Sequence, residues 1–410
     1  MAKFVFIFLF FLVLGSQAYH AVDVLDHGAI GNGHTDDSKA FDSAFRMACD
    51  SSSRTATIVV PGRKSFFLQP LVFNGKQCRP STITFQIDGD IVAPSDPNAW
   101  HGCDGDDDKL CHAWIEFKHF DGLYIQGSGT INGRGRKWWR RHSCHKNACK
   151  RTVPTGMMIS DSNDVHLLGL TFEDSPKMHI AFEDSTRVYA YQLTIKAPAD
   201  SPNTDGIHIQ HCSHVFIDHC FIGTGDDCVS IGDGSAHLEI TNVECGPGHG
   251  ISIGSLGKHK ERETVESVHV RNATFTGTQN GVRIKTWQGG KGYASNMIFE
   301  NIFFHGARYP IIIDQYYCDH EHCTNQTSAV HINNITYMNI EGTSEKEIAV
   351  KLACSQPVPC RNIIMKNINL QREEDQHKLK ETSSFCFNVR GRSSGNVFPK
   401  VPCLYVDKNL

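Results

Sequence analysis

Beyond its first residues the chain has no apolar run long enough to cross a bilayer, so the mature protein reads as soluble, with no membrane partner. It has no dominant charge: 40 Lys and Arg stand against 44 Asp and Glu, a formal net charge of -4, and this balance gives no reason to expect nucleic acid. It has no CxxC pair, so its sixteen cysteines do not read as zinc ligands. It also has no sustained helical periodicity, which removes the crossover helices that an α/β sheet would need. At 40% hydrophobic and 20% charged residues, the composition is otherwise that of a globular protein with ample core.

What is present begins with "MAKFVFIFLFFLVLGSQA". Lys3, the apolar run Phe4 to Leu14 and the small residues after it have the layout of a secretory signal. The expected division is a signal over residues 1–21 and a single domain over 22–410. Secretion places an even number of cysteines in an oxidising compartment. Cys103 and Cys111, Cys144 and Cys149, Cys318 and Cys323, and Cys354 and Cys360 lie close in sequence, but spacing does not fix the connectivity. The sequons at Asn272, Asn325 and Asn334 read as glycan acceptors.

Short alternating apolar segments recur, among them "NDVHLLGLTF", "TRVYAYQLTI", "SHVFIDHCFI" and "ESVHVRNATF". They align on Leu123, Val165, Val188, Val215, Leu238, Val268, Met297, Val330 and Ile363. Repeats of this size built from strands and glycine turns predict an all-β fold, a right-handed parallel β-helix of about ten coils. Asn242, Asn272, Asn301 and Asn334 fall late in their units. They form either an asparagine ladder or a set of favoured turn residues. Near the start, a short amphipathic helix from about Asp36 would cap the open end of the solenoid, with Asp36 and Asp37 at its N-terminus.

The stretch "GTGDDCVSIGDG" then sets Asp226 beside Asp227. Counted from the anchors, Asp226 and His249 fall 11 residues along their coils. Asp205 falls 17 along, with "APADSP" as an insert, and Arg283 falls 15 along. Coils stack about 4.8 Å apart, so Asp205, Asp226, His249 and Arg283 are expected in one vertical file, with Lys285 on the same face. Asp227 joins the file only if the glycines beside it let the chain bend. Crowded carboxylates repel one another, and such a group marks a site.

With "NTDG" at 203–206, "GDD" at 225–227, "GHG" at 248–250 and "RIK" at 283–285, in that order, nearly all of the mature chain resembles the plant polygalacturonases of glycoside hydrolase family 28. The resemblance implies a secreted, cell-wall hydrolase that cleaves the α-1,4-galacturonosidic bonds of pectate with inversion, with endo attack favoured over exo attack. It implies Asp226 as general acid, Asp205 and Asp227 as the holders of the attacking water, and His249 beside the acid. It further implies Arg283, Lys285, Asn203 and Tyr317 (or its neighbour Tyr316) at the substrate, and a disulfide between Cys228 and Cys245. The expected partner is the pectin polysaccharide, the expected state a monomer, and no cofactor or metal is called for. A pectate lyase would share the coil and the substrate but would use calcium and a basic residue; a pectin-binding wall protein would share them without activity. The run "GRGRKWWRRHSCHKNACKR" at 133–151 carries eight Lys or Arg and no acid, and reads as a contact for the polyanion at the cleft rim.

Overall fold

The computed structural model describes residues 20–100, 112–142, 152–318, 323–374 and 378–407. Residues 1–19 of the expected 1–21 signal, and residues 143–151 of the basic run, lie outside them. The first described strand, His20–Asp23, already pairs with Thr55–Val60, Ala21 lying opposite Thr57. A chain cut after residue 21 would keep only the second half of that pairing.

Strands of successive coils pair in parallel almost throughout, the main exception being a hairpin between Arg372 and Lys380. The result is a right-handed parallel β-helix. One flank is a sheet of eleven strands, one per coil. These are β1 (Leu71–Asn74), β2 (Ala113–Lys118), β3 (Thr155–Ser160), β4 (Ile180–Glu183), β5 (Ile207–Gln210), β6 (Val229–Ile231), β7 (Ile251–Leu256), β8 (Asn280–Trp287), β9 (Tyr309–Tyr317), β10 (Ile348–Ala353) and β11 (Ser383–Phe387). The remaining strands form a second, larger sheet around the other sides. Alternation does the sorting. In β5 to β9, Ile207, Ile209, Val229, Ile231, Ile251, Ile253, Val282, Ile284, Ile311 and Ile313 point inward and are fully buried. Each such side chain contributes about 1.5–3 kcal/mol over exposure. The residues between them face outward and form the floor of a groove.

The anchors Leu123 to Met297 stand opposite one another in neighbouring coils. The next is a correction. Met297 pairs with Ile335, not Val330, and Ile335 pairs with Ile363. A residue with positive φ precedes each of these anchors, including Asp164, His214, Asn296, Asn334 and Asn362. That left-handed corner sets the register, and Asn and Asp tolerate it best among residues that carry a side chain.

The asparagines are both turn residues and ladders. Asn272, Asn301, Asn339 and Asn367 each donate from Nδ2 to Oδ1 of the asparagine one coil earlier, over 3.0–3.4 Å, starting from Asn242. Asn334 belongs to a second ladder, between Asn296 and Asn362. The five-residue slip that misplaces Val330 misplaces Asn334 as well. Both Asn272 and Asn334 spend their Nδ2 groups in these ladders. Asn325 lies on an exposed loop, where its sequon is open.

The N-terminal helix α1 (Ser38–Cys49) closes the coil end with Phe41, Ala44, Phe45 and Ala48 buried. The ring of Phe45 packs on Phe73, Phe85 and Phe120. Asp37 occupies the N-cap position without capping through its side chain; its carboxylate instead accepts from the Ile30 and Gly31 amides. Asp36, one residue earlier, accepts from the Ser38 amide and hydroxyl.

Five disulfides join described residues: Cys49–Cys78, Cys228–Cys245, Cys318–Cys323, Cys354–Cys360 and Cys386–Cys403. The even count does not mean full pairing, for Cys212 and Cys220 are buried free thiols. Burial pushes both up to about 12, so they are inert core residues. In the basic segment, helix α2 (Arg136–His142) buries Trp138 edge-on to Trp100 and ties the Trp139 indole N–H to the Ser175 carbonyl. These tryptophans are structural.

Candidate active site

The turns that lead into β5, β6 and β7 bring the acids together. Their backbones interlock: the Gly206 amide donates to the Asp227 carbonyl, and the Cys228 amide to the Gly250 carbonyl. Strand register then places Asp205, Asp227, His249 and Asn280 level with one another, each two residues before the first core residue of its strand. This corrects the expected file in two places. Asp227 stands in the row and Asp226 lies one residue off it. Arg283 comes from β8, three residues past Asn280, and reaches back. Counting from distant anchors failed because turns of different length intervene.

The approach of the turns demands small residues. A Cβ on Gly225 would fall 2.0 Å from the Ser201 carbonyl oxygen. The Gly225 amide donates to Thr204 Oγ1, whose hydroxyl also meets Ser201 Oγ at 2.6 Å. The Cys228–Cys245 disulfide ties the acid turn to the turn that carries His249.

Neighbouring in sequence, Asp226 and Asp227 have opposite surroundings. Asp227 is 1% exposed. One oxygen accepts from Arg283 Nη2 at 2.8 Å and Ser252 Oγ at 2.8 Å, the other from Lys285 Nζ at 2.9 Å. Burial alone would raise its pKa, but the two cations and these hydrogen bonds hold it down at about 2, so it stays ionised. Asp226 is partly exposed to the groove, its side chain 23% accessible. Its Oδ1 accepts from His249 Nδ1 at 2.9 Å and from the Asp227 amide at 2.8 Å. Asp205 shows the reverse of Asp227. Burial, then the charges of Asp226 and Asp227, push it up to about 7, against the Ser230 hydroxyl and Lys285. The cluster therefore holds one carboxyl that keeps a proton and one that cannot.

Asp226, Asp227 and His249 lie close enough to share a cation, with donor atoms within 4.8 Å of one another. The positive charge beside Asp227 is already supplied by Arg283 and Lys285, and His249 Nδ1 is turned to Asp226. Tyr317, at the end of β9, receives Lys285 Nζ over its ring at 5.5 Å and meets the Trp287 ring edge at 5.3 Å. The Tyr316 hydroxyl instead accepts from the Gln356 amide. That separates the two tyrosines: Tyr317 is the one beside the cluster. Asn203 is exposed, in the left-handed conformation, two residues before Asp205.

Two histidines escaped the sequence reading. His179 is buried, with Nδ1–H donating to the Asp205 carbonyl at 3.2 Å and Nε2 accepting from the Ser175 amide at 3.3 Å. His208 lies on the groove floor in register with Ser230, Ser252 and Arg283. Its Nδ1 meets the Ser230 hydroxyl at 2.8 Å, the same hydroxyl that serves Asp205. Burial lowers both rings to about 4, so both are neutral near pH 6. The outward position of His208 in "GIHI" was a legible signal; the contact of His179 with a backbone carbonyl was not.

The family model for glycosyl hydrolases family 28 matches residues 49–394. The chain belongs to that family. It is a glycoside hydrolase. A probable polygalacturonase of Arabidopsis thaliana is 45% identical over 387 residues, 93% of this chain and 84% of that one. Polygalacturonase-2 of Solanum lycopersicum is 42% identical over 392 residues, 95% and 82% of the two chains. Among solved structures, an endo-xylogalacturonan hydrolase from Aspergillus tubingensis superposes with a TM-score of 0.75 at 22% identity, over 95% of this chain and 99% of that one. A polygalacturonase from Erwinia carotovora gives 0.70 at 23%, over 88% and 97%. At those identities the structural likeness speaks for the family 28 coil alone.

Proposed function

We propose that this family 28 enzyme is a secreted polygalacturonase that hydrolyses α-1,4-galacturonosidic bonds of pectate by single displacement with inversion. The observation that carries the proposal is the split among three neighbouring carboxyls: Asp227 locked ionised by Arg283 and Lys285, Asp205 pushed toward its neutral form, and Asp226 open to the groove and bonded to His249. Glycoside hydrolysis needs one protonated and one ionised carboxyl. Asp226 is the general acid at the glycosidic oxygen, and His249 keeps a hydrogen bond on its Oδ1. Asp205 and Asp227 hold the attacking water between them. For these roles the proton must rest on Asp226, and Asp205 must be ionised, when substrate is bound. Arg283 and Lys285 have donors beyond those given to Asp227, and these meet a galacturonate carboxylate; Tyr317 and Asn203 flank the same sugar.

The eleven-strand sheet continues past the acids on both sides, over β1 to β4 and over β8 to β11. That continuity supports endo attack. Five disulfides among the described residues accord with an extracellular setting. The test is a digest of unesterified polygalacturonate followed by proton NMR and viscometry. The expected result is a first-formed β-anomer at new reducing ends with an early fall in viscosity. A first-formed α-anomer would sink the single displacement, and an absorbing unsaturated product would make the enzyme a lyase.

A further inference from the structure

The outward row that holds His208 runs on toward the N-terminus through Ala181, Met158, Glu116 and Val72. There β1 to β4 and the turn at Lys177 and Met178 enclose a cavity of about 710 Å³. Met158 stands three strands from Ser230, about 14 Å at the usual spacing, so the cavity lies a few sugar rings from the acids along the same sheet face.

Its chemistry differs from that of the acid cluster. Met158, Met178 and Val72, the last 47% exposed, give it an apolar wall. One of its two lysines is already matched. Lys118 Nζ lies 3.6 Å from Glu116, which also accepts from Ser160 Oγ at 3.2 Å. Lys177 acts on Glu183, whose half-buried carboxyl is nonetheless raised by burial first and then by the charge of Asp184. A free galacturonate entering here would bring a further carboxylate against those of Glu116 and Glu183, with Lys118 already paired, and its desolvation would be poorly compensated. A methyl ester removes that charge and sets a methyl group against thioethers, which adapt well to small apolar groups.

We propose that this end of the cleft binds a methyl-esterified galacturonate of the same polysaccharide whose free-acid residue lies at Arg283 and Lys285. The assignment rests on the polygalacturonase reading and sharpens it: the enzyme takes partly esterified pectin, cut where a free acid and an ester stand at a fixed separation.

The experiment compares unesterified polygalacturonate with partly methyl-esterified pectin, for the wild type and for the double variant Glu116→Gln, Glu183→Gln, with mass spectrometry of the pectin fragments. In wild-type fragments, esters should be enriched at one position, a few sugars from the new end, on one side of the cut. In the variant, KM for polygalacturonate should fall about fivefold, the worth of one charge contact in water, with KM for pectin and both kcat values unchanged. Random ester positions in the fragments, or equal KM changes on both substrates, would overturn the proposal. Should the variant fail to fold, the wild-type fragment pattern decides alone. No cutting of polygalacturonate or pectin by the wild type would instead overturn the polygalacturonase reading, and this assignment with it.

Discussion

Two rows of side chains climb the same coils, and they are built on opposite principles. At one corner, Asn242, Asn272, Asn301, Asn339 and Asn367 stack like on like. A neutral amide both donates and accepts, so each new coil satisfies the one before it. At the other corner, Asp205, Asp227, His249 and Asn280 stack unlike groups, and two of them are acids. Carboxylates only accept when ionised, so this row cannot satisfy itself. It borrows Arg283 and Lys285 from β8, and its burial and crowding push Asp205 toward the neutral form. A row that repeats itself is scaffold; a row that needs counter-charges from elsewhere, with a further carboxyl beside it exposed to a groove, is a site.

The sharpest way to test that contrast is to remove the exposed acid. Asp226→Asn should lower kcat by about 10²- to 10⁴-fold, the usual worth of a general acid. The fold should stay intact, because the amide oxygen can still accept from His249. Unchanged kcat, or lost folding, would erase the distinction between Asp226 and its neighbour. Asp227→Asn should do the reverse in proportion. It leaves Arg283 and Lys285, nearly buried at 12% and 11% side-chain exposure, without their anion. Breaking a buried pair in this way costs about 3–5 kcal/mol. A clear drop in melting temperature, along with lost activity, is the expected outcome; a Tm equal to the wild type's would mean that the cations do not depend on Asp227.

Asp205 and Asp227 should also pull stability in opposite directions with pH. Asp205 is raised from 3.8 to about 7 in the fold. Between those values the native state holds a proton that the unfolded chain releases, so stability falls as pH rises from about 4 to about 7 and is flat above. Asp205→Asn should therefore raise Tm by a few degrees at pH 8 and leave it nearly unchanged at pH 4. Asp227 is lowered to about 2. Its contribution is present above pH 4 and is lost as pH falls through 2. A Tm gain for Asp205→Asn that is equal at both pH values would show that Asp205 carries no shifted proton.

The same contrast explains what the sequence made legible. The alternation of strands such as "IHI" and "VSI" exposes the inward and outward faces directly, so the coil, the capping helix and the residues of the acid cluster could be read. Register could not be counted over variable turns. Val330 took the place of Ile335, and Asp226 took the place of Asp227 in the row. In both cases the reliable marker was local: a left-handed corner residue before the anchor, or the position two residues before the first core residue of a strand. Cys318–Cys323 and Cys354–Cys360 join cysteines that lie close in sequence, but their spacing alone did not fix those pairings. The free thiols Cys212 and Cys220 were hidden because they occupy inward core positions, where cysteine acts as a small apolar side chain. The chemistry of the distal cavity was hidden too, since Glu116, Met158 and Lys177 come from three different coils.

The smallest effect belongs to the self-satisfying row. Asn301→Ala removes one rung: the bond from Asn301 Nδ2 to Asn272 at 3.4 Å and the bond from Asn339 at 3.2 Å. It also places alanine at φ 53°, a conformation that asparagine tolerates better. The rung is exposed, so water takes over both freed amides, and the loss should be about 1–2 kcal/mol, mostly from the backbone. Asn301→Gly should recover part of it, because glycine accepts the left-handed corner but restores no bond. Differential scanning calorimetry of the two variants separates the corner from the ladder. Equal losses would assign the row's stability to its hydrogen bonds, and full recovery by glycine would assign it to the turn. In either case kcat on polygalacturonate should not change, since this corner shares no side chain with the acids.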